Sequence, residues 1–256
     1  MDQAAEAVRR STPSERQAQE RRFYSRMALV IAAVIVLGFG PSFYLRPFDV
    51  IHFPRPNPPI TPSLMVHSAI FSLWVVIFIA QTQLVAAGRR DVHKTLGAFG
   101  FMLGVVMVPV MYMAMMDAIA RNSSLPFTDV LTFSVVPLGG IPFYIILLTL
   151  GWLSRKKDLQ SHKRYMLALM IMLSQPAFAR LPLAPPVLIG FTFLSALPLL
   201  LLISMAVWDR KTRGSVHAAT KTSIALFALL LAIQTFFLAT PGLWSAFVVH
   251  LPGIPA

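Results

Sequence analysis

Cysteine is absent from the 256 residues, which removes disulfides, thiolate metal sites and thiol nucleophiles. Any metal here has to use His, Met, carboxylate or backbone oxygen. Charge is scarce as well: Asp, Glu, Lys and Arg make up 12% of the chain, against roughly 25% in an ordinary soluble domain. The apolar runs hold no deep carboxylate, the group that a proton-driven transporter usually buries at mid-membrane. A Gly-rich phosphate loop, an HExxH pair and a Gly-x-Ser-x-Gly elbow are all missing, so the common nucleotide-handling and hydrolytic signatures have no seat. The six histidines are dispersed and do not form the His boxes of a membrane di-iron oxygenase.

Apolar sequence is what the chain has in excess. It is 56% hydrophobic with a mean hydropathy of +0.69. A helical crossing needs about 20 mostly apolar residues, and seven runs approach this length: 27 to 45, 64 to 87, 96 to 117, 131 to 153, 165 to 181, 187 to 207 and 222 to 240. These runs predict an all-α, polytopic transmembrane bundle of about seven spans. The fifth run is short and is closed by Arg180 and LPLAPP, so six spans and a re-entrant hairpin is the competing arrangement.

The net charge of +12 is arranged as a topology signal and not as a nucleic-acid surface. With a cytoplasmic N-terminus, all the Lys and Arg except Arg46, Arg55, Arg121 and Arg180 fall in inside segments. The positive-inside rule then gives N-in, C-out in a bacterial inner membrane. The domain plan is a basic cytoplasmic head at 1 to 26, a helical domain at 27 to 240 and an outer tail at 241 to 256. The head reads as a frayed or interfacial helix. Its partner is the lipid bilayer, with a larger membrane complex as a further candidate. The proline-rich segment 46 to 62 is the natural lid over the outer mouth, and Arg180 is expected to pair with Asp117, Asp129 or Asp49.

Histidine placement supplies the site candidates. His93 and His162 both open spans at the inner side, each followed by Lys. At helical spacing His93 is succeeded by Gly97, Gly100 and Gly104, a stripe without side chains. A flat porphyrin needs such a bare groove beside an axial imidazole, so a bis-imidazole haem b between spans three and five is one expectation. Close helix packing through small residues is the other. Toward the outer side, His67 begins span two, and Met115 and Met116 end span three; imidazole and thioether together suit Cu(I), although methionine also fills membrane cores. Phe71, Trp74, Phe78 and Gln81 follow His67 on one helical face and would line a pocket for a small lipophilic molecule.

The ordered elements PSLMVHSAIFSLWVVIFIAQTQLV, GRRDVHKTLGAFG and SHKRYM resemble a widespread, uncharacterised group of bacterial polytopic membrane proteins, over roughly residues 40 to 181. A histidine opening a glycine-bearing span is also loosely similar to the haem-ligating helices of cytochrome b561-type proteins. Histidines at the ends of paired spans resemble those of membrane assembly factors for haem-copper oxidases. The resemblance implies His93 and His162 as inner ligands and His67 as the outer one. Three roles therefore stand at this point: a redox or metal-handling protein, a structural or assembly subunit, and a carrier of a lipophilic ligand.

Overall fold

A computed structural model describes residues 12–48, 60–122, 128–181, 193 and 195–254. Among these residues the structure is helical, with no strand. Helix α1 (Pro13–Phe39) opens with a capping box: Thr12 and Glu15 satisfy each other's backbone N–H, and Pro13 follows at the first helical position. The helix runs on into a π-helical turn at Gly40–Tyr44, which holds Pro41 and so lacks one N–H of the α ladder. The described part of the basic head is thus the first four turns of the same helix as span one.

Thr61 caps α2 (Pro62–Ala86). After a three-residue turn through Gly88 in the left-handed region, α3 (Arg90–Ala120) continues without interruption past Pro109. A short α4 (Val130–Phe133), capped by Asp129, leads through Ser134 into α5 (Val135–Ser154). Helix α6 (Leu159–Leu173) starts from Asp158, which accepts from the N–H groups of Gln160 and Ser161. It breaks at Ser174 ahead of Pro176 and resumes as α7 (Gln175–Phe178). Helix α8 (Pro198–Arg213) ends on Gly214, His217 caps α9 (Ala218–Ala239), and α10 (Pro241–Val248) closes the described fold.

Five stretches are long and apolar enough to cross a membrane: Ser14–Tyr44, Pro62–Ala86, Arg90–Ala120, Val130–Ser154 and Ala218–Ala239. The other two apolar runs are not continuous spans among the described residues. The run at 165 to 181 is divided between α6 and α7, and the run at 187 to 207 enters the described structure as α8. The lid expected at 46 to 62 lies largely outside the described residues.

Helix α6 is the hub. Leu167 to Met172 are six consecutive residues buried on every side, the signature of a helix enclosed by others. They form the main core with Ala28 and Ile31 of α1, Tyr144 and Leu147 of α5, Leu202 and Met205 of α8, and Phe227 and Leu230 of α9. A second apolar cluster at the opposite end joins Met115, Ile119, Val130, Val135, Trp244 and Val248. At Gly38, α1 meets α7 with no side chain between them. A Cβ on Gly38 would lie 2.3 Å from the carbonyl oxygen of Ala177, so the two backbones touch and only glycine fits.

Gly38→Ala is therefore expected to lower stability by about 1–3 kcal/mol, the usual cost of overpacking a filled interior. Gly140→Ala, where a Cβ meets nothing within 4 Å, should be near neutral. Thermal unfolding of the two variants in the same detergent checks this.

Candidate functional site

The basic segments converge at one end of the bundle. Asp209 at the end of α8 and Arg164 in the first turns of α6 are both fully buried and paired. Arg164 Nε donates at 3.0 Å to one Asp209 oxygen, and its Nη2 donates to the same atom. The other carboxylate oxygen accepts from the Thr220 hydroxyl and from the His217 backbone N–H at 3.2 Å. Arg164 also donates through Nη1 to the backbone and side-chain oxygens of Gln160, each at 2.8 Å. Both charges are thereby hydrogen-bonded as well as paired, the condition under which a buried ion pair is tolerated. Next to it Lys163 pairs with Glu20 of α1, and Gln83 of α2 donates to Ser25 of α1 at 2.8 Å. The ends of α1, α2, α6, α8 and α9 are tied into one polar layer.

His93, Gln81 and His162 sit beside that layer, at the packed ends of α2, α3, α5 and α6. His162 Nδ1 is 2.7 Å from the Gly151 carbonyl of α5; as a donor it satisfies one of that helix's last-turn oxygens and leaves Nε2 as the other ring nitrogen. His93 lies beside the Gln81 backbone and within electrostatic range of His162. Its Nδ1 is buried with no hydrogen-bond partner, as are both side-chain amide atoms of Gln81. Orphaned buried polar atoms are uncommon, because each unsatisfied group costs on the order of 1–3 kcal/mol.

The glycine stripe faces α2. A Cβ at Gly97 would lie 3.5 Å from the Gln81 amide nitrogen, one at Gly100 3.1 Å from an Ile77 methyl, and one at Gly104 2.9 Å from the Trp74 ring. The face expected to hold a porphyrin beside His93 is occupied in this structure by Gln81, Ile77 and Trp74. It is a helix-packing seam whose missing side chains admit the larger residues of the neighbour.

The outer candidates have neighbours of their own. His67 stacks on Phe71 with ring centroids 4.2 Å apart and lies against the Val110 backbone; its Nδ1 is buried and unpartnered. Met115 belongs to the apolar cluster around Trp244 and Val248, and Met116 packs at its edge. Among the described residues no three His, Cys, Asp or Glu side chains assemble as a metal centre. Trp74 is buried, and its indole N–H points at the Met170 sulfur, 2.9 Å away. Asp117 accepts from Thr61 at 2.8 Å and pairs with Arg121. The expected pairing of Asp117 with Arg180 is therefore corrected: the Arg180 guanidinium lies 4.7 Å from the Phe39 ring centre and donates to the Pro176 carbonyl. Asp49 lies outside the described residues.

Sequence reasoning missed Asp209 and misread Arg164. Arg164 counts as one more inside charge in the positive-inside tally, yet it is fully buried. The available signal was Asp209 at the end of an apolar run, directly before RKTR, where a lone acid has reason to answer a basic residue on another helix. A second buried pair was also missed, the Gln175 amide donating to Gln234 at 2.8 Å.

Compared with known proteins, the chain matches no family model, no curated protein and no solved structure. What the site does is read from its geometry.

Two outcomes check the polar layer. Removing one partner of a buried ion pair typically costs about 3–5 kcal/mol, whereas replacing both with apolar residues is far milder. Asp209→Ala should fall in the first range, and Arg164→Leu with Asp209→Leu should recover part of the loss in thermal unfolding. The second concerns His217, whose Nδ1 accepts the Ala219 N–H at 3.1 Å. Burial, then the Arg164 and Arg213 charges, hold its imidazole below the ordinary range against the opposing pull of Asp158 and Asp209. Its folded pKa lies below the unfolded one, so its stabilisation is full above about pH 6.5 and fades as the pH falls toward the folded value. Unfolding midpoints measured across pH 5 to 7.5 should show that loss, and His217→Asn, which keeps a cap acceptor without the titration, should flatten it.

Proposed function

We propose that this is a bacterial inner-membrane protein that crosses the bilayer seven times, N-in and C-out, and binds a small lipophilic molecule by its hydrogen-bonding head. The binding place is the basic end of α2 and α3. Support for the topology comes from two sources: the gathering of α1, α2, α6, α8 and α9 ends at one basic layer, and the distribution of Lys and Arg. On this reading the apolar runs at 165 to 181 and 187 to 207 complete the crossings.

One observation carries the ligand reading: Gln81 Oε1, Gln81 Nε2 and His93 Nδ1 are each buried without a hydrogen-bond partner, and His93 lies beside the Gln81 backbone. The amide offers donors and an acceptor, and the imidazole nitrogen can take either role according to tautomer. A head group carrying a carbonyl and a hydroxyl satisfies all three. His162, oriented by the Gly151 carbonyl, lies near His93. Gly97 leaves space for the Gln81 amide, and Trp74 closes the apolar side of the seam. The set holds no nucleophile and base in register, so it supports binding and proton exchange at the head group and not bond cleavage.

Gln81→Leu and His93→Leu separate this reading from a structural one. Orphaned polar groups contribute nothing favourable to the fold, so both variants should keep or slightly raise the unfolding midpoint. Solvent extraction and mass spectrometry of mildly purified protein should recover a bound polar-headed lipophile from the wild type and at least about tenfold less from either variant. A loss of more than about 1 kcal/mol with no bound molecule in any sample would sink the proposal. A reduced haem band abolished by His162→Ala would replace it with a haem protein whose ring lies away from the glycine seam.

A further inference from the structure

Helix α1 presents Ala18, Arg21, Arg22, Ser25 and Arg26 toward the α2–α3 turn at Ala86, Ala87 and Gly88, and together they line a cavity of about 500 Å³ open to the basic side. The spacing is that of one helical face, at i, i+3, i+4, i+7 and i+8. We propose that this groove binds the phosphate headgroup of an anionic phospholipid from the leaflet on the basic side.

Charge and neighbours support that occupant. Among the described residues no carboxylate lies within ion-pair distance of Arg21, Arg22 or Arg26. The nearby acids are engaged elsewhere: Glu15 in the α1 cap, Glu20 with Lys163, and Asp91 with Arg89. Three guanidinium groups around one cavity, with no acid among the described residues to answer them, form a site for a multiply oxygenated anion, since each fork matches phosphate oxygens. The turn closing the groove has little side chain: a Cβ on Gly88 would meet nothing within 4 Å, and its φ of +77° favours glycine. A headgroup can approach the backbone there. Ser25, already accepting from Gln83, forms a polar floor.

The surface below the groove distinguishes a lipid from a soluble phosphate. Continuing from Arg22 and Arg26 at helical spacing, the same flank of α1 carries Leu29, Val30, Val36 and Leu37, exposed by 52%, 46%, 58% and 63%. Headgroup charge and acyl-chain stripe thus share one face, with the basic cluster at the membrane boundary, where pockets of this kind take anionic headgroups. The groove is lined by α1 and the α2–α3 turn and includes neither Gln81 nor His93, so the two proposals stand or fall separately.

The test uses full-length protein reconstituted in phosphatidylcholine nanodiscs with or without phosphatidylglycerol, read by thermal unfolding and by native mass spectrometry of retained lipid. Phosphatidylglycerol should raise the midpoint and remain bound. Arg21→Gln with Arg22→Gln and Arg26→Gln should weaken its apparent affinity at least about tenfold, with the midpoint in pure phosphatidylcholine equal to the wild type's. Lys156→Gln with Lys157→Gln, at another turn of the same end, should retain the effect. Three results would each overturn the proposal: unchanged lipid retention in the triple variant, equal loss in the lysine variant, or full reproduction of the stabilisation by inorganic phosphate alone. The last would assign the groove to a soluble anion.

Discussion

The Arg164–Asp209 pair is the contact on which the arrangement of the basic end depends. A charged group without water is costly by several kcal/mol even after relaxation, and both members of this pair have no exposed surface. Each can stay ionised only while the other is in place and while Thr220, His217 and Gln160 supply the remaining hydrogen bonds. That requirement fixes the relative heights of α6, α8 and α9 more tightly than apolar packing does, because hydrocarbon side chains tolerate sliding and a bidentate fork does not. The continuous burial of α6 from Leu167 to Met172 then follows from its being held between partners on every side.

Away from this anchor, close approach is achieved with missing side chains. At Gly38 the backbones of α1 and α7 touch, and along Gly97, Gly100 and Gly104 the helix receives Gln81, Ile77 and Trp74 from α2. In a bilayer the hydrophobic effect does little to press helices together, so this kind of fit and the few interhelical hydrogen bonds carry the association. Tyr144 to the Gly104 carbonyl at 2.8 Å and Gln175 to Gln234 are the polar members of that set. The unpartnered atoms of His93 and Gln81 are joined by those of Tyr24, Ser42, Ser63, His67 and Ser195; His93 and Gln81 differ in lying on two helices packed along a glycine seam.

Much of the fold was legible in the sequence because apolar run length reports directly on helix length, and five of the seven runs appear as helices long and apolar enough to cross a membrane. The fifth and sixth runs were harder. A break at Ser174 ahead of Pro176 divides one, and the shortness of the other's described part hides it from a length criterion. Local spacing also brought Gly97, Gly100 and Gly104 onto one face, but it could not say which neighbour that face meets. That depends on the rotation of α3 against α2, a property of two helices and not of one. The same limit explains Asp209 and Arg164: they are 45 residues apart in sequence, and the lone acid at the end of its apolar run hints at a basic partner without saying which one or that the pair is buried. Hydropathy alone placed both at the water boundary.

One consequence of the continuous α1 is mechanical. At about 1.5 Å per residue its 27 residues form a rod of roughly 40 Å, stiff from the arginine-lined groove at one end to the glycine contact at the other. Gly38 meets bare backbone, so it behaves as a pivot: the helix can swing about that point more easily than it can translate past it. Displacement of the arginine end by a few ångströms is converted into a change of tilt, felt by every layer the rod crosses.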